Sequence, residues 1–154
     1  MRKQAGIGLI LLLSAVSGCQ QAASQPETYT IIVWPSASPK GNTVDVNPVP
    51  VLAGQVNKVE LAVRYQRSFR AAAKLKWKVE LSAPADWNVT TVSKKTSWEE
   101  ETELTSADAG YSTSNTILVE VPANAASGEH EVTITVIPES GERLRRVVKF
   151  KIGP

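Results

Sequence analysis

Hydrophobic and polar residues alternate with a period of two along much of the chain beyond Gly54. Val59, Leu61, Val63 and Tyr65 fall on one side of the alternation, and Lys58, Glu60 and Arg64 on the other. Leu75, Trp77, Val79 and Leu81 alternate with Lys74, Lys76, Lys78 and Glu80, and Val132, Ile134 and Val136 with Glu131, Thr133 and Thr135. Ile117, Val119 and Val121 make another apolar row. Leu144, Val148, Phe150 and Ile152 make the last, with Arg146 interrupting it. Successive side chains of a strand point to opposite faces, so each segment predicts a strand buried on one face and wet on the other. Turn residues separate the segments at Pro84-Ala85-Asp86, Pro122-Ala123-Asn124 and Ser140-Gly141. The pattern predicts an all-β antiparallel sandwich.

The rest of the chain is less regular. Thr28 to Trp34 is rich in β-formers, but Pro35, Pro39, Pro48 and Pro50 crowd the next stretch. Proline donates no ladder hydrogen bond, so this part predicts at best an edge strand running into turns. Gln20 to Glu27 holds Gln, Ala, Ser and Pro with nothing to bury, and predicts a tether reaching roughly 25 Å at about 3.3 Å per residue. No long stretch beyond Cys19 has helical periodicity; Ala71 to Ala73 could begin a helical turn, but Lys74 to Leu81 reads as strand.

The first residues have a different character. Arg2 and Lys3 precede a compact apolar run from Ile7 to Leu13, and small residues lead to the chain's single cysteine, Cys19. That is the layout of a secretory signal, too short to span a bilayer comfortably. Val16-Ser17-Gly18-Cys19 resembles the lipobox of bacterial lipoproteins. The resemblance implies a diacylglyceryl group on the Cys19 sulfur, cleavage before Cys19 and acylation of the new amine. Gln20 stands where an aspartate would resemble an inner-membrane retention signal, so the expected location is the cell envelope: the outer membrane if there is one, otherwise the outer face of the cell membrane. The expected organisation is a signal peptide over 1–18, a lipidated N-terminus, tether and leader over 19–40, and a sandwich domain over 41–154.

Cleavage before Cys19 removes 18 of the 154 residues and leaves 136, enough for one self-sufficient core. Arg2 and Lys3 leave with the signal, so 17 basic residues become 15, against 15 acidic ones. A balanced mature chain argues against nucleic acid as a partner. With Cys19 acylated, no thiol remains for a disulfide, and stability rests on packing alone.

Three ordered segments carry a second resemblance. They are Val51-Leu52-Ala53-Gly54-Gln55, Pro84-Ala85-Asp86-Trp87-Asn88-Val89, and the run from Val119 through Val121-Pro122-Ala123-Asn124 to His130. Over about 44–152 the chain is similar to the immunoglobulin-like or fibronectin-III-like bacterial domains called NEW3 modules, found beside glycosidases and on cell surfaces. Those domains usually carry Pro-Gly where this chain has Ala109-Gly110-Tyr111. The resemblance implies an immunoglobulin-like sandwich of about seven strands and transfers no activity.

Little chemistry is legible. His130 is the single histidine, and Met1 the single methionine, which leaves with the signal. Carboxylates are not clustered at ligand spacing, so no metal site is expected, and no cofactor. No nucleophile elbow or phosphate loop is present, and the chain reads as non-enzymatic. Trp77 lies mid-strand among apolar neighbours and predicts core; Trp87 follows a Pro-x-x-Trp turn, and the NEW3 resemblance implies that it plugs the sandwich end. Trp34 and Trp98 lie outside secure apolar rows and are candidate sugar-stacking rings.

Charge is segregated along the chain. Seven basic residues and one acidic residue fall between Lys58 and Lys78, and Glu99, Glu100, Glu101 and Glu103 cluster. Such runs are ordinarily solvated faces. In an immunoglobulin-like order the Val132 strand lies between those of Trp77 and Phe150. Glu129 and Glu131 are then expected between Lys74, Lys76 and Lys78 on one side and Arg145, Lys149 and Lys151 on the other, leaving a net-positive face. Those six basic residues are the candidate partner-binding set. The expected function is a membrane-anchored lipoprotein acting as a protein-interaction or accessory module of the cell envelope. The alternative is a carbohydrate or envelope-polymer binder using Trp34 or Trp98.

Overall fold

A computed structural model of the chain describes residues 27–38 and 44–153, so Cys19 and the signal and tether readings up to position 26 lie outside the described residues. Among the described residues nine strands follow one another: β1 (Thr28–Pro35), β2 (Val49–Val51), β3 (Val56–Gln66), β4 (Ala73–Ser82), β5 (Asn88–Thr91), β6 (Ser97–Leu104), β7 (Gly110–Glu120), β8 (Gly128–Pro138) and β9 (Leu144–Ile152). They form a four-stranded sheet, β1-β3-β7-β5, packed on a five-stranded sheet, β2-β9-β8-β4-β6. The order β3-β7-β5 against β4-β8-β9 is that of an immunoglobulin-like sandwich, and β2 runs parallel to β9 along one side. As expected, the Val132 strand lies between those of Trp77 and Phe150.

Nine strands replace the expected seven or so. β1, inside the stretch read as leader, is paired with β3 over its whole length, from Thr28 opposite Gln66 to Pro35 opposite Val59. It is an edge strand, as the β-formers ahead of the prolines allowed, and the prolines begin only at its last residue. Between Ser93 and Ser114, where the sequence is least regular, the chain changes sheets. β5 pairs with β7, a tight turn follows with Lys94 at φ 64° and Thr91 accepting from Lys94 N–H, and β6 pairs with β4.

Inward residues of the two sheets form one core. Val59, Leu61, Val63, Trp77, Val79, Val119, Val132, Val136, Val148 and Phe150 are all buried in it. At the end where β1 begins, Trp77 is 1 % exposed and sits between Tyr29 and Tyr111, ring centroids 5.9 and 5.8 Å away. At the other end Trp87 closes the sandwich as expected, its ring 4.9 Å from His130 and 6.4 Å from Phe150. His130 also holds the turn before β8, its Nε2 2.7 Å from the Ala126 carbonyl. Gly110 opens β7 where a Cβ would lie 2.2 Å from the Tyr65 carbonyl oxygen, so no larger residue fits without parting β7 from β3.

The interruption at Arg146 has a structural use. Arg146 faces inward at the side of the sandwich and donates to both carboxylate oxygens of Asp45, at 2.9 and 2.6 Å, and to the Ile31 carbonyl. Asp45 also accepts the Val33 N–H at 3.0 Å, and Val46 N–H donates to the Val33 carbonyl at 2.8 Å. The outer edge of β1 is thereby covered, which removes a template for edge-to-edge pairing. Burial alone would raise the Asp45 pKa, but the Arg146 and Val33 hydrogen bonds and the Arg146 charge outweigh it and hold the carboxyl below its usual range.

Candidate functional site

The outer face of the five-stranded sheet carries the charged residues singled out in the sequence. Because alternate residues of each strand face the same way, β4 presents Lys74, Lys76, Lys78 and Glu80, and β6 presents Glu99, Glu101 and Glu103. β8 presents Glu129, Glu131, Thr133 and Thr135, and β9 presents Arg145, Val147, Lys149 and Lys151.

The register corrects the expected charge arrangement. Lys74, Lys76 and Lys78 lie opposite Glu103, Glu101 and Glu99 of β6. On its other side β4 meets β8 with Lys78 opposite Ile137 and Ser82 opposite Thr133, so Glu129 and Glu131 lie far along β8 from the lysines. Those two acids face β9 alone: Glu131 is opposite Lys149 and Glu129 opposite Lys151. The six basic residues therefore share their face with six acidic ones, Glu80, Glu99, Glu101, Glu103, Glu129 and Glu131. The face is neutral and striped, not net positive. Strand pairing between distant segments set this, and alternation within one strand carries no information about it.

Ion pairs run diagonally across the stripes. Lys74 Nζ is 2.6 Å from Glu101, Lys76 Nζ 3.8 Å from Glu99, and Lys149 Nζ 3.3 Å from Glu129; Lys78 pairs along its own strand with Glu80 at 3.5 Å. The hydrogen bond and charge of Glu101 raise the Lys74 pKa, and the reciprocal contact lowers that of Glu101. All these pairs are solvent-exposed, where a typical pair contributes only about 0–1 kcal/mol. Arg145, opposite Thr135, takes part in none of them.

The two candidate stacking tryptophans do not form one platform. Trp34 is half-buried on the outer face of the other sheet, opposite Glu60, which accepts hydrogen bonds from Ser36 and Thr116 at 2.8 and 2.9 Å. Trp98 points inward from β6, packs against the core, and donates its Nε1–H to Glu100 at 3.1 Å. Glu100 also accepts from the Asn115 side chain at 3.1 Å, which ties β6 across to β7. The Glu99 to Glu103 cluster is thus two sets of residues: alternate acids face solvent, and Glu100 faces the opening between the sheets.

Among the described residues no group of three or more His, Cys, Asp or Glu side chains is placed to hold a metal ion, and no helix is long and apolar enough to cross a membrane. Sequence reasoning missed the Arg146–Asp45 clamp, although a charged residue inside an apolar row was the signal for it. It also passed over Phe69, 72 % exposed in the β3–β4 loop.

No protein-family model and no curated protein matches the chain. Among solved structures, it is similar to a DUF4466 family protein from Parabacteroides merdae, with 10 % identity and a TM-score of 0.34 over 79 % of this chain and 43 % of that one. It is also similar to an AA10 lytic polysaccharide monooxygenase from Streptomyces lividans, with 17 % identity and a TM-score of 0.26 over 72 % of this chain and 62 % of that one. The chain spans less than two thirds of either protein. The chain is an all-β domain of two packed sheets.

Proposed function

We propose that the chain is a lipid-anchored, non-enzymatic accessory module of the cell envelope that engages a partner protein through the outer face of its five-stranded sheet. The lipobox-like run ending at Cys19 supports the anchor. The observation that carries the partner reading is the striped face, with six basic and six acidic side chains in rows on one wall. Exposed pairs of this kind add little to stability. Alternating rows of charge instead suit recognition, because a complementary surface pairs in one register and is repelled in the next.

Arg145 gives the cleanest test, since reversing it breaks none of the ion pairs described above. Arg145→Glu should change stability by less than about 0.5 kcal/mol. Crosslinking in intact envelopes should yield less of the adduct formed by the wild-type chain, and added salt should weaken the same adduct. An adduct unchanged in both respects would remove this face from consideration. Cys19→Ser should abolish fatty-acid labelling and detergent-phase partitioning; a wild-type chain that takes up no fatty acid refutes the anchor. The envelope-polymer reading rests on Trp34, the half-buried ring on the opposite face, and predicts loss of retention on insoluble envelope polysaccharide in Trp34→Ala with no effect of Arg145→Glu.

A further inference from the structure

β1 enters the sandwich at the same end as the loop joining β3 to β4, because Thr28 lies opposite Gln66, the last residue of β3. That loop, residues 67–72, reads Arg-Ser-Phe-Arg-Ala-Ala and contains no acidic residue. Phe69 is 72 % exposed, and it is the only aromatic among the large hydrophobic side chains left exposed in the described residues. The loop is not loosely held. The Arg67 guanidinium donates to the carbonyls of Asp108 at 3.1 Å, Ala71 at 2.6 Å and Thr105 at 2.7 Å, and Arg67 N–H donates to the Ala109 carbonyl at 2.9 Å. Phe69 is therefore displayed on a braced loop, at the rim of a hollow of about 250 Å³ that Glu27, Arg67, Ala71 and Ala73 also line.

We infer that this loop docks on the phospholipid surface to which the chain is anchored, with Phe69 inserted at the interface and Arg70 against headgroup phosphate. The inference rests on the lipid anchor proposed above. Thr28 is nine residues beyond Cys19, so an acylated Cys19 keeps the start of β1 within about 30 Å of the bilayer at about 3.3 Å per residue. A tether that short lets the loops at that end reach the bilayer surface, and docking through Phe69 turns the Trp87 end away from it. An exposed phenylalanine costs solubility with no return in the core, whereas at a bilayer interface its ring is removed from water and the adjacent guanidinium meets phosphate. The charge at this end is otherwise mixed: Arg67, Arg70, Lys74, Arg143 and Arg145 stand with Glu27, Glu103, Asp108, Glu139 and Glu142. Insertion of the ring, more than net attraction, is therefore the main contact. Docking fixes the tilt of the domain and so the direction in which the striped sheet faces.

The lipidated chain has no free thiol, so Ser68→Cys supplies a single labelling site beside Phe69. With an environment-sensitive dye at position 68, full-length lipidated protein in phosphatidylethanolamine–phosphatidylglycerol vesicles should show blue-shifted emission and several-fold protection from iodide quenching relative to detergent. Adding Phe69→Ala should abolish both, and Arg70→Ala should reduce them. The same dye on Asn124→Cys, in the loop at the opposite end, should stay water-accessible. A label at 68 as open to iodide in vesicles as in detergent, or protection unaffected by Phe69→Ala, overturns the docking while leaving the anchor intact. A wild-type chain whose Cys19 takes up dye and which fails to float with vesicles overturns the anchor and the docking with it.

Discussion

Replacing Arg146 by alanine should unfasten β1 and the segment after it from the sandwich. The clamp is partly buried, with side-chain exposures of 23 % for Arg146 and 39 % for Asp45. It therefore lies between an exposed pair, at about 0–1 kcal/mol, and a buried pair, where removing one partner costs about 3–5 kcal/mol. Three hydrogen bonds from one guanidinium and the Val33 N–H on Asp45 favour the middle of that range. The expected loss is about 2–3 kcal/mol, since bonds to charged groups contribute about 1.5–3 kcal/mol. For a domain of this size each kcal/mol moves the melting temperature by about 3–5 °C. A double-mutant cycle with Asp45→Ala, read by urea unfolding, isolates the pair, and a coupling of at least about 1 kcal/mol is expected. The pH dependence supplies a second reading. Asp45 has a lowered folded pKa, so the clamp contributes fully above the unfolded value near 3.8 and is lost as pH falls through the lower folded value. Asp45→Asn should flatten the stability profile in that acid range. A coupling below about 0.3 kcal/mol together with an unchanged acid profile would show that Arg146 is a passive occupant of its row.

The packing and the aromatic cluster around Trp77 yield four further expected outcomes. Trp77→Ala should cost about 3–5 kcal/mol, a large part of the roughly 5–15 kcal/mol typical of a domain, so a melting shift of only a degree or two would contradict its place between the sheets. Trp77→Phe should cost much less, because it also removes a buried Nε1–H that has no hydrogen-bond partner among the described residues. Gly110→Ala should destabilise by about 1–3 kcal/mol through the clash with the Tyr65 carbonyl, and hydrogen exchange should report it first at the start of β7; unaltered protection there would refute the close approach. Burial and Glu27 push Tyr29 and Tyr65 up to about 12, so the fold favours their neutral phenols. Their contribution holds below pH 10 and is lost as pH rises through 12, and ultraviolet titration showing both ionised near pH 10 would contradict it.

Much of the architecture was legible in single strands. The alternation in β3, β4, β8 and β9 and the row from Ile117 to Val121 placed most of the core, Trp77 included, because one buried face leaves its imprint at every second residue. Trp87 was placed by the family resemblance that its turn carries. What alternation cannot carry is which strand lies beside which. Lys74, Lys76 and Lys78 read as a basic row, and only the β4–β6 register set Glu99, Glu101 and Glu103 against them and turned a positive face into a striped neutral one. The same non-local pairing set the edge strand Thr28–Pro35 beside β3, making it part of the domain and not of the leader, and took β5 and β6 to different sheets. Arg146 marks the boundary between the two kinds of information. Its charge inside an apolar row was visible in the chain, but its partner Asp45 lies 101 residues away, and a contact over that distance exists only once the sheets have closed.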